Sequence, residues 1–340
     1  VIGRVHMKAV TECRQAALAA VADVREEAAS AAAREFGAAR HYGSAEALLA
    51  DADVEAVILA LPTNVRTPLA LAALASGKHT LIEKPIAMNA GDVRRLLAAR
   101  RDRVAACCSA RLSLLPSTLT AARFIAGGAL GALRVVRIRA LLPVGRKPEK
   151  APPPWRLNRA LNGGGILMNW GCYDLDFALS LTGWRLRPRV ILAQAWNVVS
   201  ELREYVAPGS DAETHFAALI RCAEGEVISF ERGEYVTAAA DSAWQVLGDS
   251  GSLRMPMTPR KGKEVWHDSL GPEGVQTKTI WSGDEEGRMQ HQAVVDDFVA
   301  AVAEGRAPHT TIERALQVQE ISDAIYASAA SGRAVEMPSS

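Results

Sequence analysis

Residues 54–85 read VEAVILALPTNVRTPLALAALASGKHTLIEKP. The apolar run Val54–Leu61 predicts a buried strand, because a strand that is covered on both faces is apolar throughout. The segment Pro68–Ser76 predicts a helix that ends at Gly77, and His79–Glu83 predicts the next strand. A strand, a helix and a second strand in this order are typical of a βαβ unit, which builds a parallel sheet.

The same alternation continues on both sides of this unit. Upstream, Leu18–Asp23 predicts a strand, Glu26–Phe36 a helix and Ala45–Ala50 a short helix. Downstream, Ala90–Arg100 predicts another helix. We therefore expect residues 1–112 to form an α/β domain with a doubly wound parallel sheet.

The hydrophobic pattern changes after residue 112. Several alternating or β-branched runs follow one another without helices between them, which predicts an α+β domain over residues 113–340 with a large, mainly antiparallel open sheet. Two helices are expected to close the chain, at Met289–Ala303 and Ile312–Ala330, the second capped by Thr311. The predicted strands are Leu133–Leu141, Arg189–Val198, Glu213–Arg221, Glu226–Glu231, Trp244–Leu247 and Thr277–Trp281.

The composition excludes several classes of protein. Lysine and arginine number 39 against 38 aspartates and glutamates, and the net charge of +1 is not concentrated in a basic block, so we expect no nucleic-acid partner. The apolar runs are too short to span a membrane, and no signal peptide is recognisable, so we expect no membrane and a cytoplasmic location. Five cysteines without a CxxC pair predict neither a disulfide framework nor a metal site. A small molecule is the expected partner.

The first residues of the chain resemble part of a nucleotide-binding turn. Val1–His6, followed by a predicted helix over Met7–Cys13, is similar to the end of a GxGxxGxxH motif in which Gly3 is the third glycine, and the first strand and two glycines would then precede Val1. Asp23 follows Gly3 by 20 residues and ends a predicted strand, where a carboxylate can bind both ribose hydroxyls of NAD. Arg25 leaves NADP open, because a guanidinium can meet a 2′-phosphate. Asp23 could alternatively cap a turn or helix.

Two motifs contain candidate catalytic residues. The first is Glu83-Lys84-Pro85, which stands at the end of a predicted strand, where doubly wound sheets bind their ligands. The second is GGGILMNWGCYDLD over residues 163–176. With Asp23 and the stretch Leu61–Asn64, these motifs resemble the Gfo/Idh/MocA family of NAD(P)-dependent sugar and polyol oxidoreductases, over essentially the whole chain.

The resemblance implies an N-terminal Rossmann domain, a C-terminal open sheet that is often used for oligomer contacts, and a nicotinamide cofactor. It places Lys84 near the nicotinamide, where an ammonium would stabilise the alkoxide that develops as hydride leaves carbon. An ordinary surface lysine is the alternative. Glu83, Pro85 and the stretch Pro62, Thr63 and Asn64 would also bind the cofactor, although Thr63 and Asn64 could cap the following helix instead.

The second motif departs from the common family pattern DxGxHxxD. Asn169 takes the position of the aspartate, Tyr173 that of the histidine, and Asp176 keeps the last place. A tyrosine there is similar to the branch with glucose-fructose oxidoreductase and dihydrodiol dehydrogenase, where it transfers the proton. Its pKa of about 10 would fall beside a cation such as Lys84. Tyr173 could otherwise be a core aromatic residue. Asn169 carries no charge and is expected only to bind substrate.

Trp155 and Arg156 resemble a pair that members of the same branch place near the nicotinamide or the substrate. An aromatic face suits the C–H surface of a sugar, and a guanidinium offers donors to hydroxyls, carboxylate or phosphate. An interface role is the alternative for this pair. Arg111 resembles a family arginine at the domain junction, and we expect it to be structural.

The resemblance thus implies an NAD(P)-dependent oxidoreductase that moves hydride between nicotinamide and a secondary alcohol or ketone of a sugar, cyclitol or related polyol. NAD is the expected cofactor, and a homodimer or homotetramer is the expected assembly. Two alternatives stay open. One is an enzyme that retains NADP and shuttles hydride between two sugars, and the other is a non-catalytic dinucleotide-binding sensor on the same fold.

Overall fold

The computed structural model describes residues 1–150 and 152–338, and the chain divides into two units. The first unit contains residues 1–111 together with residues 288–316. The second unit contains residues 112–287 and the chain from residue 317 onward. The sequence-based division at residue 112 did not anticipate that residues 288–316 join the first unit.

The first unit alternates strands and helices. Its strands form two parallel sheets, one in the order β1-β2 and one in the order β3-β4-β5. Most of α9 and the start of α10 also belong to this unit. The elements are α1 (Ile2–Glu12), β1 (Ala20–Ala22), α2 (Glu26–Phe36), β2 (Arg40–Tyr42), α3 (Ala45–Ala50), β3 (Ala56–Leu59), α4 (Thr63–Ala75), β4 (His79–Ile82), α5 (Ala90–Ala99), β5 (Ala105–Cys107), α9 (Gly287–Glu304) and α10 (Ile312–Ser331).

Local sequence explains where these helices begin and end. Gly37 ends α2 with φ of 72°, a left-handed conformation that glycine adopts without steric cost. Ser44 and Asn89 cap α3 and α5 by accepting hydrogen bonds from backbone N–H groups in the first turn. Thr311 accepts the backbone N–H of Arg314 at 3.3 Å, which confirms the predicted cap of α10.

Two helices begin earlier than their sequences predicted. Helix α1 begins at Ile2, so Gly3 lies in its first turn, where a Cβ would be 3.8 Å from the side chain of Ala60. Helix α4 begins at Thr63, and Pro68 lies inside it rather than at its first position. The prediction that this helix starts at Pro68 was wrong, because the residues from Thr63 onward are already helical. The short strand β2 was not predicted at all.

The second unit is built on one nine-stranded sheet in the order β13-β12-β11-β10-β6-β9-β8-β7-β14. Strands β6 and β9 pair in parallel near its centre, and the other neighbours are antiparallel. The mainly antiparallel sheet predicted from the sequence is therefore confirmed. The elements are α6 (Pro116–Ala126), β6 (Leu133–Pro143), α7 (Arg159–Asn162), α8 (Cys172–Leu181), β7 (Pro188–Asn197), β8 (Glu213–Cys222), β9 (Val227–Val236), β10 (Asp241–Gly248), β11 (Gly251–Arg254), β12 (Lys263–Gly271), β13 (Gly274–Gly283) and β14 (Val335–Glu336).

Helix α8 and the strands β11, β12 and β14 were not predicted. Every residue of α8 is buried, so the helix has no polar face and lacks the periodicity by which an amphipathic helix is recognised. A π turn over Leu167–Gly171 leads directly into it. Among the described residues, no helix combines the length and the apolar character that a membrane span requires.

Candidate active site

The three strands β3, β4 and β5 end at the same edge of their parallel sheet. The segments that follow them begin at Ala60, Glu83 and Cys108. Ligands of doubly wound sheets bind at the carboxyl ends of the strands. The candidate site of the first unit therefore lies where Glu83-Lys84-Pro85 leaves β4.

Arg66, in the first turn of α4, holds the segments after β3 and β4 together through their backbone. Its Nε donates to the carbonyl of Leu61 at 3.1 Å, and its Nη1 donates to the carbonyls of Glu83, at 2.8 Å, and of Pro85. The guanidinium is buried. Because the two carbonyls flank Lys84, Arg66 fixes the backbone on both sides of that lysine. The Lys84–Pro85 peptide bond is cis.

The Glu83 side chain lies in a buried charged cluster. Its Oε1 is 2.7 Å from His6 Nε2 and forms an ion pair with Arg111, and its Oε2 accepts the backbone N–H of Lys84 at 2.9 Å. Both carboxylate oxygens are thus bound. A buried carboxylate requires such partners, because burying a charge without them is costly.

The histidines of this cluster are held neutral. Burial, and then the charge of Arg111, lower the pKa of His6 to about 3 and that of His291 to about 3. The rings of His6 and His291 meet edge to face with centroids 6.3 Å apart. Burial raises the pKa of the Cys108 thiol well above its usual value, so the thiol stays protonated. Arg111 therefore supplies the positive charge that neutralises Glu83.

Three members of the cluster also meet closely enough to hold a metal ion. The ligand atoms of His6, Glu83 and Cys108 lie within 4.8 Å of one another. This group was not predicted, because its members are far apart along the chain. Arg111 Nη2 lies 3.4 Å from His6 Nε2 and pairs with Glu83, so a fixed cation already stands among these ligands. The arrangement favours an ion pair over a metal centre.

The predicted cofactor residues lie at the ends of strands in the first unit. Asp23 follows β1, and its Oδ1 accepts the backbone N–H of Arg25 at 2.9 Å while its side chain stays 42% exposed. Lys84 is half-buried and Pro85 is buried. At the start of α4, Thr63 is buried, and the residues on either side of it, Pro62 and Asn64, are exposed. The cap residue of α4 is Pro62, and no side chain caps the helix there.

In the second unit, the glycine triplet is explained by close packing. Gly163 ends α7 with φ of 83°. The buried Glu213 carboxylate accepts the backbone N–H groups of Gly165, at 3.0 Å, and Leu167, at 3.1 Å. A Cβ at Gly165 would overlap the backbone carbonyl oxygen of Glu213. The triplet is therefore required for the approach of the chain to β8, immediately before the candidate catalytic residues.

Asn169 and Tyr173 follow on the π turn and the first turn of α8. Asn169 is buried, donates from Nδ2 to the backbone carbonyl of Arg156 at 3.0 Å, and accepts at Oδ1 from Asn162 at 3.3 Å. Tyr173 is 6% exposed, and its ring meets that of Trp170 edge to face. Single π turns are frequent at functional sites.

The two acidic residues of α8 have separate partners. Asp174 accepts hydrogen bonds from Arg232 at 2.5 Å and from Trp244 at 2.9 Å. Burial raises the pKa of the Asp174 carboxyl, although these two contacts act to lower it. Asp176 accepts from Ser113 at 2.6 Å. Both carboxylates are fully buried, and their contacts hold α8 in the core.

Trp155 and Arg156 form a short helical turn after the loop that follows β6. Trp155 is 45% exposed. Arg156 forms an ion pair with Glu234, and its Nη1 donates to the Tyr235 hydroxyl at 3.5 Å. The structure thus links Arg156 to Asn169, through the Arg156 carbonyl, and to two residues that the sequence did not indicate.

Sequence reasoning missed Arg66, Glu213 and Glu234 as parts of these sites. No spacing signal marks them: Glu213 and Glu234 bind partners 48 and 78 positions away, and Arg66 binds carbonyls 5, 17 and 19 positions away. Their contacts depend on tertiary structure alone.

Parallel sheets with polar residues at their carboxyl edge, in a chain whose other unit has a large open sheet, are typical of a two-domain dinucleotide-binding protein. Residues 1–109 match the family model of the oxidoreductase family with an NAD-binding Rossmann fold, and residues 118–254 match the C-terminal domain model of GFO/IDH/MocA proteins. The chain belongs to the Gfo/Idh/MocA oxidoreductase family. The family and enzyme class expected from the sequence are confirmed.

Known proteins similar to this chain include sugar-directed enzymes. A levoglucosan dehydrogenase from Pseudarthrobacter phenanthrenivorans is 25% identical over 94% of this chain and 89% of its own length. A dTDP-3,4-didehydro-2,6-dideoxy-alpha-D-glucose 3-reductase from Streptomyces violaceoruber is 31% identical over 83% of this chain and 77% of its own. A solved levoglucosan dehydrogenase in complex with NADH and levoglucosan has a TM-score of 0.88 at 22% identity, covering 99% of this chain and 97% of that one. That structural likeness shows the shared fold.

Proposed function

We propose that this protein is an NAD-dependent dehydrogenase that transfers hydride between nicotinamide and a secondary alcohol or ketone of a sugar, cyclitol or related polyol. The observation that carries the proposal is the fixed position of Lys84 at the carboxyl end of β4, between two carbonyls bound by Arg66. The substrates named for the relatives, levoglucosan and a dideoxy sugar nucleotide, support a substrate of the sugar class.

The residues at the nucleotide end suit NAD. Gly3 lies in the first turn of α1, at the helix N-terminus that a dinucleotide pyrophosphate would approach. The half-exposed carboxylate of Asp23 would accept hydrogen bonds from ribose hydroxyls and repel a 2′-phosphate. Pro62, Thr63 and Asn64, with Glu83 and Pro85, would line the nicotinamide side. When bound, the cofactor supplies the hydride acceptor or donor.

The remaining chemistry falls to side chains of the protein. The Lys84 ammonium stabilises negative charge on the reacting oxygen, and the Tyr173 hydroxyl exchanges a proton with that oxygen. Asn169 binds a substrate hydroxyl but cannot act as a base. Trp155 offers an aromatic face to the substrate, and Arg156 offers donors.

The test is reduced-nicotinamide absorbance after the protein is mixed with NAD or NADP and with D-glucose, D-xylose, myo-inositol or levoglucosan. We expect turnover with NAD that falls at least about 100-fold in Lys84→Ala and in Tyr173→Phe. The controls are Lys8→Ala, at an exposed position of α1, and Tyr205→Phe, which should keep wild-type rates. Tight dinucleotide binding without turnover would instead favour a sensor, and reduced cofactor retained through purification would favour a sugar-to-sugar oxidoreductase.

We also propose a cytoplasmic homodimer or homotetramer. Five free cysteines suit a reducing compartment. Leu192 and Leu219 are paired neighbours on β7 and β8, and both are more than half exposed, so the outer face of the sheet presents an apolar patch. Light scattering of the wild type and of Leu219→Lys tests this proposal. We expect a dimer or tetramer that dissociates in the variant, and a wild-type monomer would contradict it.

A further inference from the structure

Strand β9 contains a bulge directly beside the predicted substrate residues. Leu142 of β6 pairs with Glu234, and the next residue, Pro143, pairs with Val236, so Tyr235 is the extra residue. Tyr235 has φ of 57°, which is rare for an aromatic residue. Bulges re-aim side chains next to active sites, and strained backbone of this kind collects at ligand sites.

Glu234 is a buried carboxylate that is only partly satisfied. Its side chain is 7% exposed, and Oε2 pairs with Arg156. Its other oxygen, Oε1, is buried and has no hydrogen-bond partner among the described residues. An unpaired buried acceptor destabilises a protein, so each one calls for an explanation. Burial raises the pKa of this carboxyl, against the opposing effect of Arg156.

Arg156 connects Glu234 both to solvent and to Asn169. The Arg156 side chain is 29% exposed, whereas its partner Glu234 is buried. The backbone carbonyl of Arg156 accepts a hydrogen bond from Asn169, which is predicted to bind substrate. Arg156 therefore contacts both Asn169 and the Glu234 carboxylate.

We propose that Glu234 determines substrate specificity, with Oε1 accepting a hydrogen bond from a hydroxyl group of an uncharged polyol. This inference rests on the proposed function. Arg156 and Tyr235 complete the subsite. The Arg156 guanidinium can donate a hydrogen bond to a second hydroxyl group, and the Tyr235 phenol can donate or accept one. The subsite takes neighbouring hydroxyl groups of a sugar or cyclitol.

The charges explain why the ligand is neutral. Glu234 already neutralises Arg156, so a substrate carboxylate placed there would meet a carboxylate of the protein. A site that is built to bind a hydroxyl discriminates strongly against an analogue without it, because the buried polar group is then left unpaired. Deoxy sugars and sugar acids should therefore be poor substrates.

The experiment compares the wild type with Glu234→Gln and with the matched control Glu231→Gln. Glu231 lies on the same strand and pairs with the half-exposed His215 at 3.0 Å. Rates are measured with NAD and the best neutral sugar of the panel above, with its monodeoxy derivatives, and with D-glucuronate. Circular dichroism and melting temperature establish that each variant is folded, and Tyr235→Phe removes a single hydroxyl as a milder variant.

We expect Glu234→Gln to lower kcat/KM about 10- to 100-fold, mainly through KM, because the substrate hydroxyl then meets a neutral amide in place of a charged acceptor. In the wild type, the monodeoxy sugar that lacks the bound hydroxyl should have a lower kcat/KM than the parent sugar, and in Glu234→Gln this difference should disappear. The kcat/KM of Glu231→Gln should stay within about twofold of the wild-type value. Equal effects of the two variants on all substrates would overturn the inference.

Failure of the proposed function is separable from this result. If the wild type turns over no sugar, the proposed function fails, and calorimetric titration with the same sugars decides the inference. Binding that Glu234→Gln loses and Glu231→Gln keeps would support the subsite. Equal binding by both variants, or no binding by the wild type, would overturn it.

Discussion

Two buried carboxylates, one in each unit, pair with an arginine but differ in how fully they are bound. Glu83 uses both oxygens, toward Arg111 and His6 on one side and the backbone of Lys84 on the other. Glu234 uses one oxygen, toward Arg156, and leaves the other unpaired. A fully bound carboxylate holds a scaffold in place, and a partly bound one keeps capacity for a ligand.

The largest expected effect comes from breaking the Glu83 cluster. Arg111→Met leaves a buried carboxylate without its cation, which should destabilise the first unit by about 3–5 kcal/mol. Hydrogen exchange of the β4 amides measures this effect locally, because a chain of two units need not unfold in one step. The β8 amides of the second unit serve as the internal reference.

A double variant sharpens the result. Adding Glu83→Gln to Arg111→Met removes the uncompensated charge, so the double variant should be more stable than Arg111→Met alone. If the single variant already exchanges like the wild type, Glu83 does not depend on Arg111 and the contrast with Glu234 is lost.

A somewhat smaller effect is expected where another buried carboxylate, that of Glu213, binds the glycine triplet. Gly165→Ala places a methyl group against the backbone carbonyl of Glu213, and backbone cannot move aside cheaply. We expect a loss of about 3 kcal/mol in the second unit, at the upper end of overpacking costs. Urea unfolding measures it, with Gly145→Ala, where a Cβ meets nothing within 4 Å, as the control. Equal midpoints for the two variants would show that the contact can relax.

The fold was predictable where local signals were strong. Helices α2 and α3 were predicted with the bounds that the structure has, because the glycine after α2 and the serine before α3 mark their limits. Helix α8 escaped prediction because it is buried on all sides. The four-residue strand β11 and the two-residue strand β14 are too short for a periodic pattern to be recognised.

The site was predictable only where its residues form a motif. Lys84 and Asn169 could be assigned from Glu83-Lys84-Pro85 and from the segment after the glycine triplet, although their roles remain predictions. Arg66 and Glu234 could not be assigned, because their partners are distant in sequence. The position of Tyr235 depends on a β-bulge, and no residue type in the sequence predicts that bulge.

The smallest of the three effects concerns the proton balance of the Glu83 cluster. Burial lowers the pKa of His6 to about 3 in the folded protein, against about 6.5 in the unfolded chain. Between these pH values the unfolded chain binds one more proton, so this group makes stability rise with pH and fall as the solution is acidified below about pH 6.5. The slope is about 1.4 kcal/mol per pH unit.

His6→Gln cannot take up that proton, so its stability should depend less steeply on pH. Urea unfolding at several pH values between 7 and 5 measures the difference in slope between the variant and the wild type. His291, whose pKa is lowered in the same direction, keeps its own contribution in both proteins and does not obscure the comparison. Parallel slopes would mean that His6 is protonated in the folded protein. Its contact with Glu83 would then be an ion pair, and Glu83 would be paired with two cations instead of one.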